Sequence, residues 1–302
     1  MRRLVPVLLV LALGVHPRAA AADGKAQAIL ERAIANEKQL GELDKALSEL
    51  DTLLARSPRD ADAHYARGWV LSHQGKDEPA IAAYDRAFAI DKTLADAAYN
   101  AGVVLARLGR SKDAADHFDR ALVANPKLVD AAYNAGQSYY EQKKFAKAAE
   151  RWRAAATLAP DDFQIAKKLV QVYVALGDDA KAAKARDTVY MLWRSAKDPA
   201  ISKLRSYVYD QFEVDRFRVY AYEAFDVSGD LAYVYQFTVT DKDKVVGSVN
   251  LETSAASREQ GVPYLLGMDK AGSHTSLGVT WNRLPDYRTL KAEATKAIKA
   301  RF

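Results

Sequence analysis

Ala95–Gly109 reads ADAAYNAGVVLARLG, and thirty-four residues on, Val129–Tyr140 reads VDAAYNAGQSYY. AAYNAG is written twice at an interval too long for one helix and too regular for chance. A fixed interval of this size is the mark of a repeat architecture. The repeat extends in both directions. With Ala61 as position 1, further units start at Ala95, Val129 and Phe163. Position 5 is Tyr65, Tyr99 and Tyr133; position 8 is Gly68, Gly102 and Gly136. Position 15 is Gly75, Gly109 and Gly177, with Lys143 as the exception. Position 20 is Ala80, Ala114, Ala148 and Ala182. Position 24 is Tyr84, Phe118 and Trp152, with Arg186 in the fourth unit. Position 27 is Ala87, Ala121 and Ala155, and Pro126 and Pro160 stand at position 32. A weaker unit, Gln27 to Asp60, carries Gly41, Ala46, Leu50, Leu53 and Pro58 at the same offsets.

These offsets describe two helices joined by a short turn. A small residue at position 8 lets the second helix approach, and the aromatic at 24 fills the remaining space. Glycine at 15 supplies the positive φ of the turn, and proline at 32 stops the second helix. One hairpin cannot bury its own apolar stripe, so neighbours must stack into a solenoid.

This pattern resembles the tetratricopeptide repeat family over about residues 27–193. Position 4, often Trp in the family, is His64, Ala98 or Ala132; position 7, often Leu, is Arg67, Ala101 or Ala135. The resemblance implies about five helical hairpins whose first helices line a groove that docks a peptide or protein. The groove residues it implies are Tyr65, Trp69, Tyr99, Asn100, Arg107, Tyr133, Asn134, Gln137, Tyr140, Lys167 and Gln171. Trp69, expected to be exposed, would form an aromatic shelf with Tyr133 and Tyr140, while the position-5 tyrosines read equally as packing residues; Asn100 and Asn134 would reach peptide backbone, and Arg107 and Lys167 would meet carboxylates. The carboxylate clamp of some family members is incomplete: Tyr65 and Tyr99 stand where its first Lys belongs, and Gln171 where its Arg belongs.

Residues 1–22 read as a cleaved secretory signal peptide. Arg2 and Arg3 precede the apolar run Leu4–Val15, and Ala20, Ala21 and Ala22 precede Asp23. Twelve apolar residues fall short of the roughly 20 a bilayer span needs. The chain has no cysteine. The expected location is the periplasm or exterior of a bacterium. The chain carries 44 Lys and Arg against 39 Asp and Glu; Arg2, Arg3 and Arg18 account for three of the former, leaving 41 against 39. No concentrated basic tract remains, so nucleic acid is not an expected partner.

After residue 196, alanine gives way to alternating Tyr, Val, Phe and Thr, and residues 197–302 read as a separate α+β domain of unrecognised family. Strands are expected over 215–225, 231–240 and 245–254, with Phe217, Val219, Ala221 and Phe225 on one face of the first and Leu231, Tyr233, Tyr235, Phe237 and Val239 on one face of the second. Residues 203–214 fit either a strand or a helix end. A hairpin is expected around DKAG (269–272), and a helix over 286–302 that covers one sheet face.

No GxSxG, HExxH or phosphate-binding glycine loop is present. No catalytic residue, metal ligand or cofactor site is assigned. Two readings stay open. One is a non-catalytic adaptor of the bacterial envelope that docks a protein segment in the groove. The other is a small enzyme or ligand-binding module in the last 100 residues. It would require His274, Glu252 and Asp269 to converge.

Overall fold

The computed structural model describes residues 24–225, 232–253, 264–270, 273–283 and 285–302. The expected signal peptide lies outside the described residues. Two compact units divide the chain, one ending at Arg151 and the other running from Trp152 to Phe302.

The first unit is built of helices in hairpins: α1 (Lys25–Ala35) and α2 (Glu42–Arg56), α3 (Ala61–His73) and α4 (Asp77–Ile90), α5 (Ala95–Arg107) and α6 (Ser111–Ala124). Then come α7 (Val129–Glu141) and the start of α8 (Phe145–Leu158). Each hairpin leans on the next: α4 packs on α5 and α6 on α7. The repeat positions explain the fit. A Cβ at Gly68 would stand 2.7 Å from the Tyr84 ring, and one at Gly102 equally close to Phe118. Each position-8 glycine therefore makes room for the position-24 aromatic of its own hairpin. Tyr84, Phe118, Ala80, Ala87, Ala114 and Ala121 are all fully buried. Gly75 and Gly109 turn between helices at φ of 71° and 75°, and Lys143 takes the same conformation at 60°.

The second unit contains a further hairpin, α9 (Phe163–Leu176) and α10 (Asp179–Ser195), the single turn α11 (Pro199–Ser202), and a six-stranded sheet. The strands are β1 (Ser206–Val214), β2 (Phe217–Ala224), β3 (Ala232–Asp241), β4 (Lys244–Thr253), β5 (Tyr264–Lys270) and β6 (Ser273–Trp281). They run in sequential order, every neighbouring pair antiparallel. Residues 203–214, ambiguous in sequence, are β1 from Ser206 onward. Its register slips between Val208 and Asp210, so Tyr209 and Asp210 both turn inward.

Of the residues expected on these faces, Phe217, Val219, Ala221, Phe225, Tyr235, Phe237 and Val239 are buried, and Leu231 lies outside the described residues. Helix α12 (Tyr287–Arg301) packs on the sheet at β1 and β4; its Leu290, Ala294 and Ile298 are buried and its Tyr287 ring stacks on Phe237 at 6.2 Å. The same unit holds α9 and α10 against the sheet. Trp193 stacks on Phe225 at 4.8 Å, and its indole N–H donates to the Leu204 carbonyl. Arg288 of α12 donates to the carbonyl of Gly177.

Candidate functional site

In the first unit the face in question is carried by the first helix of each hairpin, α3, α5 and α7. It is organised by rungs that join neighbouring repeats. The Asn100 amide donates to the Tyr65 hydroxyl (3.1 Å), and the Asn134 amide donates to the Tyr99 hydroxyl (3.2 Å). The two partners are one period plus one residue apart, so the same bond recurs at each junction. Asn100 is fully buried. The asparagines expected to read peptide backbone thus hold tyrosines of the preceding unit. Burial pushes both phenols well above their ordinary range, reinforced by the carboxylates of Asp96 near Tyr65 and of Asp130 and Asp96 near Tyr99. Tyr65 and Tyr99 are therefore neutral at physiological pH, with their rings against Tyr84 and Phe118.

The expected exposure of Trp69 is not observed: it is 3 % exposed. The His73 ring, one turn further along α3, stacks over it at 3.6 Å, and His73 Nδ1 lies 2.8 Å from the Trp69 carbonyl oxygen. Arg107 is committed as well. Its guanidinium donates to Ser72 (3.2 Å) and to the Asp77 carboxylate. Tyr133, Asn134, Gln137 and Tyr140 are half-buried. Gln137 donates to Glu141 (3.0 Å), and the Tyr140 ring lies 5.1 Å from that of Phe145. The partly exposed tyrosines are thus those of α7, and Asp62, Asp96 and Asp130 repeat along the face at position 2.

Lys167 and Gln171 belong to the second unit. Lys167 lies half-buried over the Phe163 ring (5.4 Å), and burial lowers its pKa. Gln171 accepts from Lys168 at 3.5 Å.

On the sheet, Glu252, Asp269 and His274 do converge. His274 Nδ1 is 2.9 Å from an Asp269 oxygen and Nε2 is 3.5 Å from a Glu252 oxygen. Ser273 and Ser276 bond within their own turns, to the Lys270 carbonyl and the Gly278 N–H. Neither supplies a nucleophile to the histidine in this arrangement. Among the described residues no group of three His, Cys, Asp or Glu side chains is arranged to hold a metal ion.

A family model for the tetratricopeptide repeat matches residues 36–94, 89–128 and 133–190, half of the chain. This chain belongs to the tetratricopeptide repeat family. The crystal structure of the MamA protein is 19 % identical over 61 % of this chain and 98 % of that one, with a TM-score of 0.51. MamA from Desulfovibrio magneticus RS-1 is 23 % identical, over 59 % of this chain and all of that one, at a TM-score of 0.49. YrrB, described as a TPR protein with an unusual peptide-binding site, is 20 % identical, over 56 % of this chain and 87 % of that one, at 0.47. At these identities the likeness is one of fold. No curated protein matches the sequence. The family match ends at residue 190, before the sheet. A protein-interaction role follows for this repeat protein at the level of its family, and no helix among its described residues is long and apolar enough to cross a membrane.

Proposed function

We propose that the α3–α5–α7 face docks a protein or peptide segment, and that the repeat protein works as a non-catalytic adaptor in the bacterial cell envelope. The observation that carries this reading is the rung pattern. Tyr65–Asn100 and Tyr99–Asn134 tie successive repeats into a fixed platform, and the platform presents Tyr133 and Tyr140 beside a row of carboxylates. A preorganised face loses little freedom on binding. Aromatic side chains at a desolvated centre supply affinity. Asp62, Asp96 and Asp130 recur at one position of three successive repeats, and Arg107 on that face is paired with Asp77. The face is therefore suited to a segment bearing Lys or Arg. The envelope location rests on the export-like order of Arg2, Arg3, Leu4–Val15 and Ala20–Ala22.

The test is a peptide array probed with the full mature chain, then affinity measurement on the hits. Tyr133→Ala and Tyr140→Ala are expected to weaken binding by about tenfold each, or roughly 1.4 kcal/mol. Asp96→Asn and Asp130→Asn are expected to weaken it less and to flatten its salt dependence. Hits that bind the double tyrosine variant as tightly as the parent would remove the α7 face as the site.

A further inference from the structure

The sheet carries a second arrangement that docking does not use. Adjacent strands β4, β5 and β6 bring Glu252, Asp269 and His274 to the face opposite α12. Asp269 pairs with His274 across β5 and β6, and Glu252 sits one strand further away on β4. A β6 side chain does not ordinarily reach β4, because β5 lies between. Here the intervening residue is Gly267. A Cβ at that position would stand 2.3 Å from a Glu252 oxygen and 2.6 Å from His274 Cε1. The imidazole passes over the missing side chain. Asp269 fixes its direction, taking Nδ1 at 2.9 Å on one oxygen and the Asn250 amide at 2.7 Å on the other. That leaves Nε2 aimed at Glu252.

Glu252 is 1 % exposed, and neither of its oxygens has a hydrogen-bond partner among the described residues; the Asn250 side-chain oxygen beside it is likewise buried and without a partner among them. An ionised carboxylate in that position would be costly. Burial accordingly raises the Glu252 pKa, opposed by the nearby His274.

We propose that Glu252, His274 and Asp269 form a latch that fastens the β5–β6 hairpin to β4, closed while a proton lies between Glu252 and His274 Nε2 and released when that proton is lost to solvent. With the proton present, the pair makes either O–H···N or N–H···O contact across β5. Without it, a buried carboxylate faces an imidazole lone pair, and no donor among the described residues bonds to it. This fixes the direction of the pH dependence. The folded state holds the Glu252 proton more tightly than the unfolded chain, whose glutamate titrates near about 4.3. The closed latch is therefore at full strength below that pH and weakens as pH rises through the raised folded value. Among the described residues, the titratable groups facing Glu252 are Asp269 from β5 and His274 from β6. Gln236, on the same face of β3, is uncharged. Lys270 is turned away, to the Arg301 carbonyl and the Phe302 ring.

Hydrogen exchange of the β5–β6 peptides in the full chain, corrected for intrinsic rate, tests this between pH 4 and 9. Protection is expected to fall by about tenfold per pH unit over the release range. Glu252→Gln, which cannot lose the proton, is expected to give a flat profile. His274→Gln, which removes the imidazole but leaves Glu252 buried, is expected to keep the fall with rising pH, with lower protection throughout. A flat wild-type profile overturns the latch by itself, whether or not the variants fold. So does a Glu252→Gln chain that keeps the parent's pH dependence.

Discussion

Lys143 occupies the turn position that Gly75, Gly109 and Gly177 fill elsewhere, and it adopts the same positive φ. A side chain in that region crowds the following carbonyl at a cost of about 1 kcal/mol. Lys143→Gly is therefore expected to stabilise the chain by roughly 0.5–1 kcal/mol, read from the denaturant midpoint at unchanged slope. The opposite sign is expected at position 8. Gly102→Ala places a methyl 2.7 Å from the Phe118 ring, and overpacking of this kind costs about 1–3 kcal/mol. Both effects are legible in sequence, because the period marks position 8 as a small residue and position 15 as a turn glycine. Two features of the site are harder to read. Trp69 lies on the expected helix face, but periodicity does not say what covers it; His73, four residues on and so one turn away, is the available signal. The bonds of Asn100 and Asn134 to Tyr65 and Tyr99 are encoded too. In AAYNAG the Tyr and Asn are adjacent, so each Asn stands 35 residues after a Tyr, next to it once repeats stack.

At the scale of the element, Arg186 of α10 stands where the other repeats carry an aromatic ring. Its guanidinium donates to the Tyr235 hydroxyl on β3 (2.8 Å) and approaches Glu223 on β2. Glu223 in turn accepts from Tyr207 (2.8 Å) and Tyr235 (3.2 Å). The break in the repeat is thus the point at which a helix trades a repeat neighbour for a sheet. Burial raises the Glu223 pKa even with Arg186 beside it. Arg186→Ala leaves that carboxylate without its cation and is expected to cost about 2–4 kcal/mol at pH 7, read by chemical denaturation. The loss should shrink as pH is lowered, because a protonated Glu223 no longer needs the guanidinium. The start of α12 titrates the other way. The Asp286 carboxylate accepts from the Thr289 N–H (2.8 Å), which lowers its pKa. Its contribution is full above the unfolded value of about 3.9 and is lost as pH falls through the lower folded value. Asp286→Ala is expected to cost roughly 1 kcal/mol near neutral pH, in the same measurement, and almost nothing in strong acid. The strands themselves are legible from alternation. The slip at Tyr209 is not, since a bulge breaks the very alternation by which a strand is read.

For the whole molecule, the sequence places a change of character near residue 197, while α9 and α10 pack with the sheet beyond it. Trp193 stacks on Phe225, the Phe163 ring lies 6.2 Å from the same phenyl group, and Arg288 holds the turn after α9. Composition changes where helix gives way to strand, but burial depends on contacts, and these aromatic contacts join residues far apart in the chain. A repeat ordinarily leans on its neighbours on both sides, and a terminal one needs a cap. The sheet supplies that cover to α10, from which Arg186 reaches across to β3. A chain ending at Asp198 would keep every residue of the family match yet uncover Phe163 and Trp193. Hydrogen exchange is expected to show α9 and α10 losing at least about a hundredfold in protection in that truncated chain, or roughly 2.7 kcal/mol. Helices α3 to α6 should be unchanged, because coupling in a solenoid passes mainly between nearest neighbours. Full protection of α9 and α10 without the sheet would mean that the repeats end in a hairpin stable by itself, and that the aromatic contacts to Phe225 contribute little to holding it.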